Sequence, residues 1–183
     1  MRAATHRVYY ALWPDAEARA SIAAAAAPLV AAVGGRAVLA EHLHLTLAFI
    51  GAVAPAVVGA LARLGTAIAW PVATLRFGRV EWWRSSGALV LLADDPPAAL
   101  GDARDELLAR LAAHGIAADT RPFRAHVTIA RNVASPPPAH AVALEWTARQ
   151  VALVESQPAP GSSSYRPLAL WEAHGAGAGF HVI

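Results

Sequence analysis

A short pattern, His-aliphatic-Thr-aliphatic, occurs twice in this chain of 183 residues, as His44-Leu-Thr-Leu47 and His126-Val-Thr-Ile129. The two copies begin 82 residues apart, close to half the length of the chain. Because side chains alternate between the two faces of a strand, each copy places its histidine and threonine on the same face. A motif repeated at this spacing predicts two similar lobes related by a pseudo-twofold axis, with the two motif strands facing one another across a cleft.

The first copy lies in the most regular alternation of the sequence, residues 42–49. Leucines 43, 45 and 47 and Phe49 are expected on a buried face, with His42, His44, Thr46 and Ala48 on the opposite face. Other strands are expected over 8–13, 36–39, 75–84, 88–93, 126–131, 146–155 and 166–172. Helices are expected from Asp15 to Gly34, with a kink or break at Pro28, and over 55–69 and 98–114. No linker divides the sequence, so residues 1–183 should form a single domain.

Two absences from the composition exclude whole classes of mechanism. The chain has no cysteine, which excludes disulfides, a thiolate nucleophile and a cysteine zinc site. All 15 basic residues are arginine, so a lysyl-adenylate or Schiff-base intermediate is also excluded. The net charge of +2 and the pI near 9.7 are compatible with an anionic partner without requiring one.

The apolar segment over residues 22–33 is too short to cross a bilayer, at about 12 residues. Asp15, Glu17 and Arg19 precede it, which is not the pattern of a signal peptide. The sequence therefore predicts a packed helix in a cytoplasmic protein without a membrane partner.

The repeated residues suit acid–base chemistry on a phosphate ester. Histidine has an unperturbed pKa of about 6.5, so one imidazole can remove a proton while a second, protonated imidazole gives one. The hydroxyls of Thr46 and Thr128 could donate to phosphoryl oxygens as charge develops, and Arg131 could add a positive charge nearby. Such a reaction needs neither a nucleophilic side chain nor a metal ion or other cofactor.

These residues, in their context, resemble the two-histidine phosphoesterase superfamily, and in particular its RNA 2′,3′-cyclic phosphodiesterase branch, also called 2′-5′ RNA ligases. The resemblance rests on Arg7-Val-Tyr-Tyr-Ala-Leu-Trp-Pro14, on residues 42–51, on Phe123-Arg-Ala-His-Val-Thr-Ile-Ala-Arg131, and on the tail from Glu155 through Gly161 to Tyr165. It implies an α+β fold of two pseudo-symmetric lobes of antiparallel sheet, with helices packed outside and a central active-site groove.

The resemblance also implies an activity. RNA with 2′,3′-cyclic phosphate ends, or cyclic nucleotides, would be hydrolysed to 2′-phosphomonoesters, with His44 as proton donor and His126 as proton acceptor. Ligation of RNA fragments such as tRNA halves could accompany this reaction, and the protein is expected to be a monomer. Tyr9 and Arg7 share a strand face and are candidate substrate contacts, together with Arg131. Two positions depart from the pattern: His42 replaces an expected polar residue such as asparagine, and Ala125 replaces a common proline.

Two alternative functions stay open at the level of sequence. His42 and His44, two apart on one strand face, could chelate zinc in a metal-dependent phosphohydrolase, although a third ligand is not evident. A non-catalytic RNA-binding module could instead hold phosphates with arginines and stack bases on Trp82, Trp83, Tyr9 or Tyr10. Neither alternative explains why both histidine–threonine pairs are present.

Overall fold

The computed structural model describes residues 5–138, 142–159 and 162–174. Three helices are present in this part of the chain: α1 (Ala16–Val33), α2 (Pro55–Thr66) and α3 (Ala98–Ala113). Its strands are β1 (His6–Leu12), β2 (Arg36–Ala37), β3 (Leu45–Val53), β4 (Ala73–Trp83), β5 (Ala88–Asp94), β6 (His126–Arg131), β7 (Leu144–Ala148), β8 (Gln150–Ala159) and β9 (Ser162–Glu172). A short 3₁₀ helix, Ala40–His42, precedes β3.

The strands form one antiparallel sheet in the order β7-β4-β5-β6-β3-β1-β8-β9, with β2 paired to β6. The order is symmetric about its centre, where β3 and β6 carry the two copies of the repeated motif. The strands β3, β1, β8 and β9 form one half of the sheet, and β6, β5, β4 and β7 form the other. The α+β fold with two related halves is confirmed, but the motif strands are direct neighbours in a continuous sheet.

The helices and the core lie on one face of the sheet. Leu43, Leu45 and Leu47 are almost fully buried there, as the alternation predicts. The opposite face carries a second buried cluster around Tyr9, Trp13 and Val154, and it is the face on which the histidines lie. The sheet therefore separates a hydrophobic core from a groove that contains the polar residues of both motifs.

Phe49 and Ala48 depart from the predicted alternation. The pairing of β1 with β3 shifts register twice, so that Tyr10 is opposite Ala48 while the next residue, Ala11, is opposite Thr46. A bulge of this kind turns the following residues over. As a result, Ala48 is buried in the core, and Phe49 packs on the groove side against the cluster of Tyr9.

Helix α1 continues through Pro28, so of the predicted kink or break the break is wrong. Its N-cap is confirmed, because the Asp15 side chain accepts a hydrogen bond from the Ala18 amide at 2.8 Å. Among the described residues, α1 is the one helix long and apolar enough to cross a membrane, with a mean hydropathy of 1.4 over 18 residues. Ile22, Ala26 and Leu29 attach one side of α1 to the core, while 17% of the helix as a whole is buried.

The C-terminal strands also differ from expectation. The strand predicted over 146–155 is divided at Arg149, because Leu144–Ala148 pairs with β4 whereas Gln150–Ala159 pairs with β1 on the opposite side of the sheet. The last strand begins at Ser162, within the predicted loop over 161–164, and Gly161 lies outside the described residues. After β7 the chain crosses from one half of the sheet to the other, where β8 and β9 add to β1.

Candidate active site

His44 lies directly before β3 and is held there by a backbone contact. Its Nδ1 donates to the carbonyl oxygen of His42 at 2.7 Å, and because a carbonyl can only accept, Nδ1 carries the proton. The ring packs between aromatic side chains: its centroid lies 4.9 Å from Tyr9, 6.1 Å from Trp13 and 5.3 Å from Tyr165. Nε2 is thereby left as the nitrogen available for proton transfer.

His126 repeats this arrangement at the start of β6. Its Nδ1 donates to the carbonyl oxygen of Arg124, also two residues earlier, at 2.6 Å. One aromatic ring lies against it, that of Trp83, with ring centroids 4.4 Å apart. The two imidazoles therefore have the same tautomer, and each has Nε2 free to give or take a proton.

The environment lowers the pKa of both histidines below the value of about 6.5 assumed from sequence. Burial lowers the pKa of His44 to about 4; the hydrogen bond to His42 opposes this shift, and the positive charge of Arg131 adds to it. Burial likewise lowers the pKa of His126, with smaller effects in the same direction from Arg124 and Arg131. These shifts favour the neutral imidazole near pH 7 in the free protein, and a negative charge beside either ring would favour its protonation.

Thr46 and Thr128 are half-buried on the same face as the histidines. Leu45 pairs with Val127 between the antiparallel strands β3 and β6. Continuing that register by one residue on each side sets Thr46 opposite His126, and Thr128 opposite His44. Neither hydroxyl has a hydrogen-bond partner among the described side chains, so both are available to a ligand.

Two cavities meet in the groove. The smaller, of about 330 Å³, contains His44 and is lined by Arg7, Tyr9, His44, Thr46, Phe49, Arg131, Ser156 and Tyr165. The larger, of about 670 Å³, contains His126 and also includes Trp83, Arg104, Asp119, Phe123 and Arg124 in its wall. Thr46 and Phe49 line both cavities, so the two histidines open onto one continuous groove.

Three polar groups near His44 can meet an anion. The Tyr9 hydroxyl is buried without a hydrogen-bond partner, and burial raises the pKa of this phenol, which keeps it a neutral donor. Arg131 and Arg7 form no salt bridge within the described parts of the chain, although the Arg7 guanidinium lies 4.9 Å from the centre of the Phe49 ring. Of the seven residues singled out from the sequence, six thus line the groove, and Thr128 lies on the same face of the sheet.

His42 is placed differently from the sequence expectation. It ends the 3₁₀ helix instead of lying in β3, so it does not share a strand face with His44. Its ring packs edge-on against Tyr165, with centroids 5.0 Å apart. The described residues contain no group of three histidine or carboxylate side chains that could hold a metal ion. The expectation that His42 and His44 share a strand face, which suggested a zinc site, is therefore wrong, because His42 ends the 3₁₀ helix before β3.

Several groove residues were given no role in the site by the sequence. Trp13 is buried and stacks on His44. Trp83 was considered a base-stacking residue and instead lies against His126. Tyr165 and Ser156 reach the groove from β9 and β8, and only the resemblance of the C-terminal tail hinted at their importance. Contacts across distant strands leave no local signal in the sequence.

Comparison with known proteins agrees with the fold. Residues 13–172 match the model of a family described as the 2′-5′ RNA ligase superfamily. The chain is 32% identical over 171 residues to the RNA 2′,3′-cyclic phosphodiesterase of Escherichia coli K12, covering 90% of this chain and 95% of that protein.

Solved structures with the same fold include E. coli LigT in complex with 3′-AMP, with a TM-score of 0.81 and 28% identity over 93% of this chain and 99% of the LigT chain. TT0787 of Thermus thermophilus matches with a TM-score of 0.73 and 26% identity, over 93% of this chain and 99% of TT0787.

Proposed function

Since this chain belongs to the 2′-5′ RNA ligase superfamily, as its sequence resemblance predicted, we propose that it hydrolyses 2′,3′-cyclic phosphate ends of RNA to 2′-phosphomonoesters. The observation that carries this proposal is the matched pair of imidazoles, each with Nδ1 bound to the carbonyl two residues earlier and Nε2 free. Two such groups in one groove supply an acid and a base without any further reactant.

The reaction divides between the two histidines. His126 Nε2 takes a proton from water, and the water oxygen forms a bond to phosphorus. The bond from phosphorus to the ribose 3′ oxygen breaks, and that oxygen receives the proton carried by His44 Nε2. The product keeps its phosphate on the 2′ oxygen. The catalytic cycle closes when the proton on His126 is released and His44 is reprotonated.

The phosphate itself supplies the negative charge that His44 needs. With a pKa of about 4 in the free protein, His44 is neutral near pH 7. An anionic phosphodiester in the smaller cavity stabilises the imidazolium and raises this pKa. Arg131, which has no salt bridge among the described residues and lines the same cavity, holds the anion.

The threonine hydroxyls and Tyr9 are the proposed donors to the phosphoryl oxygens. Each threonine lies opposite the histidine of the other motif, so a phosphate between the two imidazoles is within the reach of both. The Tyr9 hydroxyl has no other described partner and lines the cavity of His44, while Arg7 is placed at the same cavity for a neighbouring phosphate. Donors fixed before the reaction stabilise developing charge without reorganising.

The proposal includes a partner and a setting that were expected from the sequence. The partner is RNA with a 2′,3′-cyclic phosphate, tRNA fragments among the candidates, and the protein acts as a cytoplasmic monomer without a cofactor. The reverse reaction, attack of a 5′-hydroxyl on the cyclic phosphate, would use the same two histidines and would give a 2′-5′ linkage.

Incubation of the pure protein with 2′,3′-cyclic AMP, followed by separation of the isomers, tests the proposal. We expect 2′-AMP from the native protein and none from the His44→Ala, His126→Ala double variant. Release of 3′-AMP would mean that the other P–O bond breaks and would overturn the assignment of the leaving group. Binding of RNA without any turnover would instead support a non-catalytic RNA-binding module.

A further inference from the structure

Glu81, near the end of β4, accepts hydrogen bonds from two residues that contact His126. We propose that Glu81 is a positioning residue for His126, acting through Trp83 and Arg124. This inference rests on the proposed function, because it concerns the group that activates water. Glu81 touches neither histidine and is not part of the wall of either cavity.

The first connection runs through Trp83. The indole Nε1 donates to the Glu81 carboxylate at 3.0 Å, which fixes the rotation of the indole. The same indole packs against the imidazole of His126, with ring centroids 4.4 Å apart. An indole that turned away would leave this side of the imidazole without a neighbour.

The second connection runs through Arg124. Its Nη2 donates to both carboxylate oxygens of Glu81, at 2.8 Å each, and its guanidinium lies 5.4 Å from the centre of the Trp83 ring. The carbonyl oxygen of the same residue accepts the Nδ1 proton of His126 at 2.6 Å. One carboxylate therefore holds both the ring beside the imidazole and the residue that fixes its tautomer.

The surroundings of His44 provide the contrast. There the corresponding stack consists of Trp13 against His44, with the Arg19 guanidinium 5.3 Å from the centre of the Trp13 ring. Arg19 Nε is buried and has no hydrogen-bond partner among the described residues, and no carboxylate there bonds the arginine or the indole. His44 is confined by Tyr9 and Tyr165 as well, whereas the described contacts of His126 depend on Trp83 and Arg124.

Loss of the carboxylate has two consequences for His126. The imidazole gains freedom, and small misplacements of a catalytic group reduce turnover by up to about 10²-fold. In addition, the positive charge of Arg124 is no longer compensated, and because that charge already lowers the pKa of His126, the pKa should fall further. Neither change involves a contact with substrate.

The test compares Glu81→Gln with Glu145→Gln. Glu145 pairs with Arg76 across β7 and β4 on the same half of the sheet, at 3.1 Å, and lies outside the groove. We expect Glu81→Gln to lower kcat by roughly 10- to 10²-fold with little change in KM. The limb of the pH profile set by His126 should move to lower pH, while the limb set by His44 and the activity of Glu145→Gln stay unchanged.

Trp83→Phe provides the second variant, because it keeps a ring against His126 and removes the Nε1 donor. If Glu81 acts through Trp83, the double variant should lose less than the product of the two single losses. Should Glu81→Gln fail to fold, the fall in kcat is required of Trp83→Phe alone, while its pH profile should stay in place because Glu81 still compensates the charge of Arg124.

Three results would overturn the proposal: a Glu81→Gln enzyme that behaves like Glu145→Gln, a rise in KM without loss of kcat, or losses that multiply fully in the double variant. An NMR titration of His126 in the native protein and in Glu81→Gln separates this idea from the proposed function. If the native protein lacks phosphodiesterase activity but Glu81→Gln still changes the pKa of His126, the proposed function is rejected and the positioning role of Glu81 is retained.

Discussion

Leu45 lies directly opposite Val127 where the two halves of the sheet meet. Both residues are fully buried in the core, and each is the second residue of its motif. The pair therefore fixes the relative position of the two repeated motifs by hydrophobic packing on the side of the sheet away from the groove. On the groove side, the same register sets each histidine opposite the threonine of the other motif, which makes the site a product of both halves.

Thr46→Val and Thr128→Val should each lower kcat more than they raise KM, since each removes a donor that strengthens as charge develops. A lost oxyanion donor costs on the order of 10²–10³ in kcat. Steady-state kinetics on 2′,3′-cyclic AMP provide the measurement. Thr147→Val is the matched control, because Thr147 bonds to Thr74 across β7 and β4, outside the groove. Near-normal turnover in both groove variants would show the threonines to be structural.

The two histidines should respond differently to the leaving group. His44→Ala and His126→Ala are each expected to lose roughly 10²–10⁴-fold in kcat. A nitrophenyl phosphodiester needs little proton donation to its leaving group, so it should restore part of the activity of His44→Ala and little of that of His126→Ala. Equal restoration in both variants, or restoration of His126→Ala alone, would reverse or remove the assignment of acid and base.

Binding of a phosphate ester should raise the pKa of His44. In the free protein burial lowers it to about 4, and an anion in the smaller cavity favours the imidazolium. NMR titration with and without 2′-AMP should show a rise of at least about one unit, since one unit corresponds to about 1.4 kcal/mol, a typical charge-assisted hydrogen bond. Arg131→Met should weaken 2′-AMP binding and raise the pKa of His44 in the free protein.

The same lowered pKa values predict how stability depends on pH. The unfolded chain binds protons at its histidines near pH 6.5, whereas buried His44 does so near pH 4. Between these values the unfolded state binds more protons, so the free energy of unfolding should fall as the pH is lowered from 6.5 to 4. Urea denaturation across this range should show a weaker dependence for His44→Gln. If His44→Gln and the native protein showed the same pH dependence, the protons taken up on unfolding would belong to other groups.

Hydrolysis should survive exhaustive chelation with EDTA, because two imidazoles and the hydroxyl donors suffice for the proposed steps. His42→Ala should keep most of its activity, since His42 packs against Tyr165 and lines neither described cavity. Rates with and without EDTA, in both proteins, provide the check. Activity lost to EDTA and restored by zinc would favour a metal-dependent phosphohydrolase, most of all if His42→Ala abolished the restoration.

The sequence could predict which motif side chains lie together because each motif is local. Alternation in a strand puts His44 with Thr46, and His126 with Thr128, on one face whatever the rest of the chain does. The repeat likewise predicted two related halves, and the helix N-cap at Asp15 is a contact between neighbours in the chain. For residues two to four positions apart, the type of local structure is enough to determine whether their side chains lie together.

The tertiary structure decided the rest. The bulge that turns Phe49 into the groove depends on how β3 pairs with β1, and the burial that lowers both histidine pKa values depends on rings brought from β1, β4 and β9. The proposed link between Glu81 and His126, through Trp83 and Arg124, joins residues 45 positions apart. Spacing along the chain determines which residues share a face of one strand. Which strands become neighbours, and which charges they bury, is determined by packing of the whole sheet, because hydrophobic burial has no direction of its own.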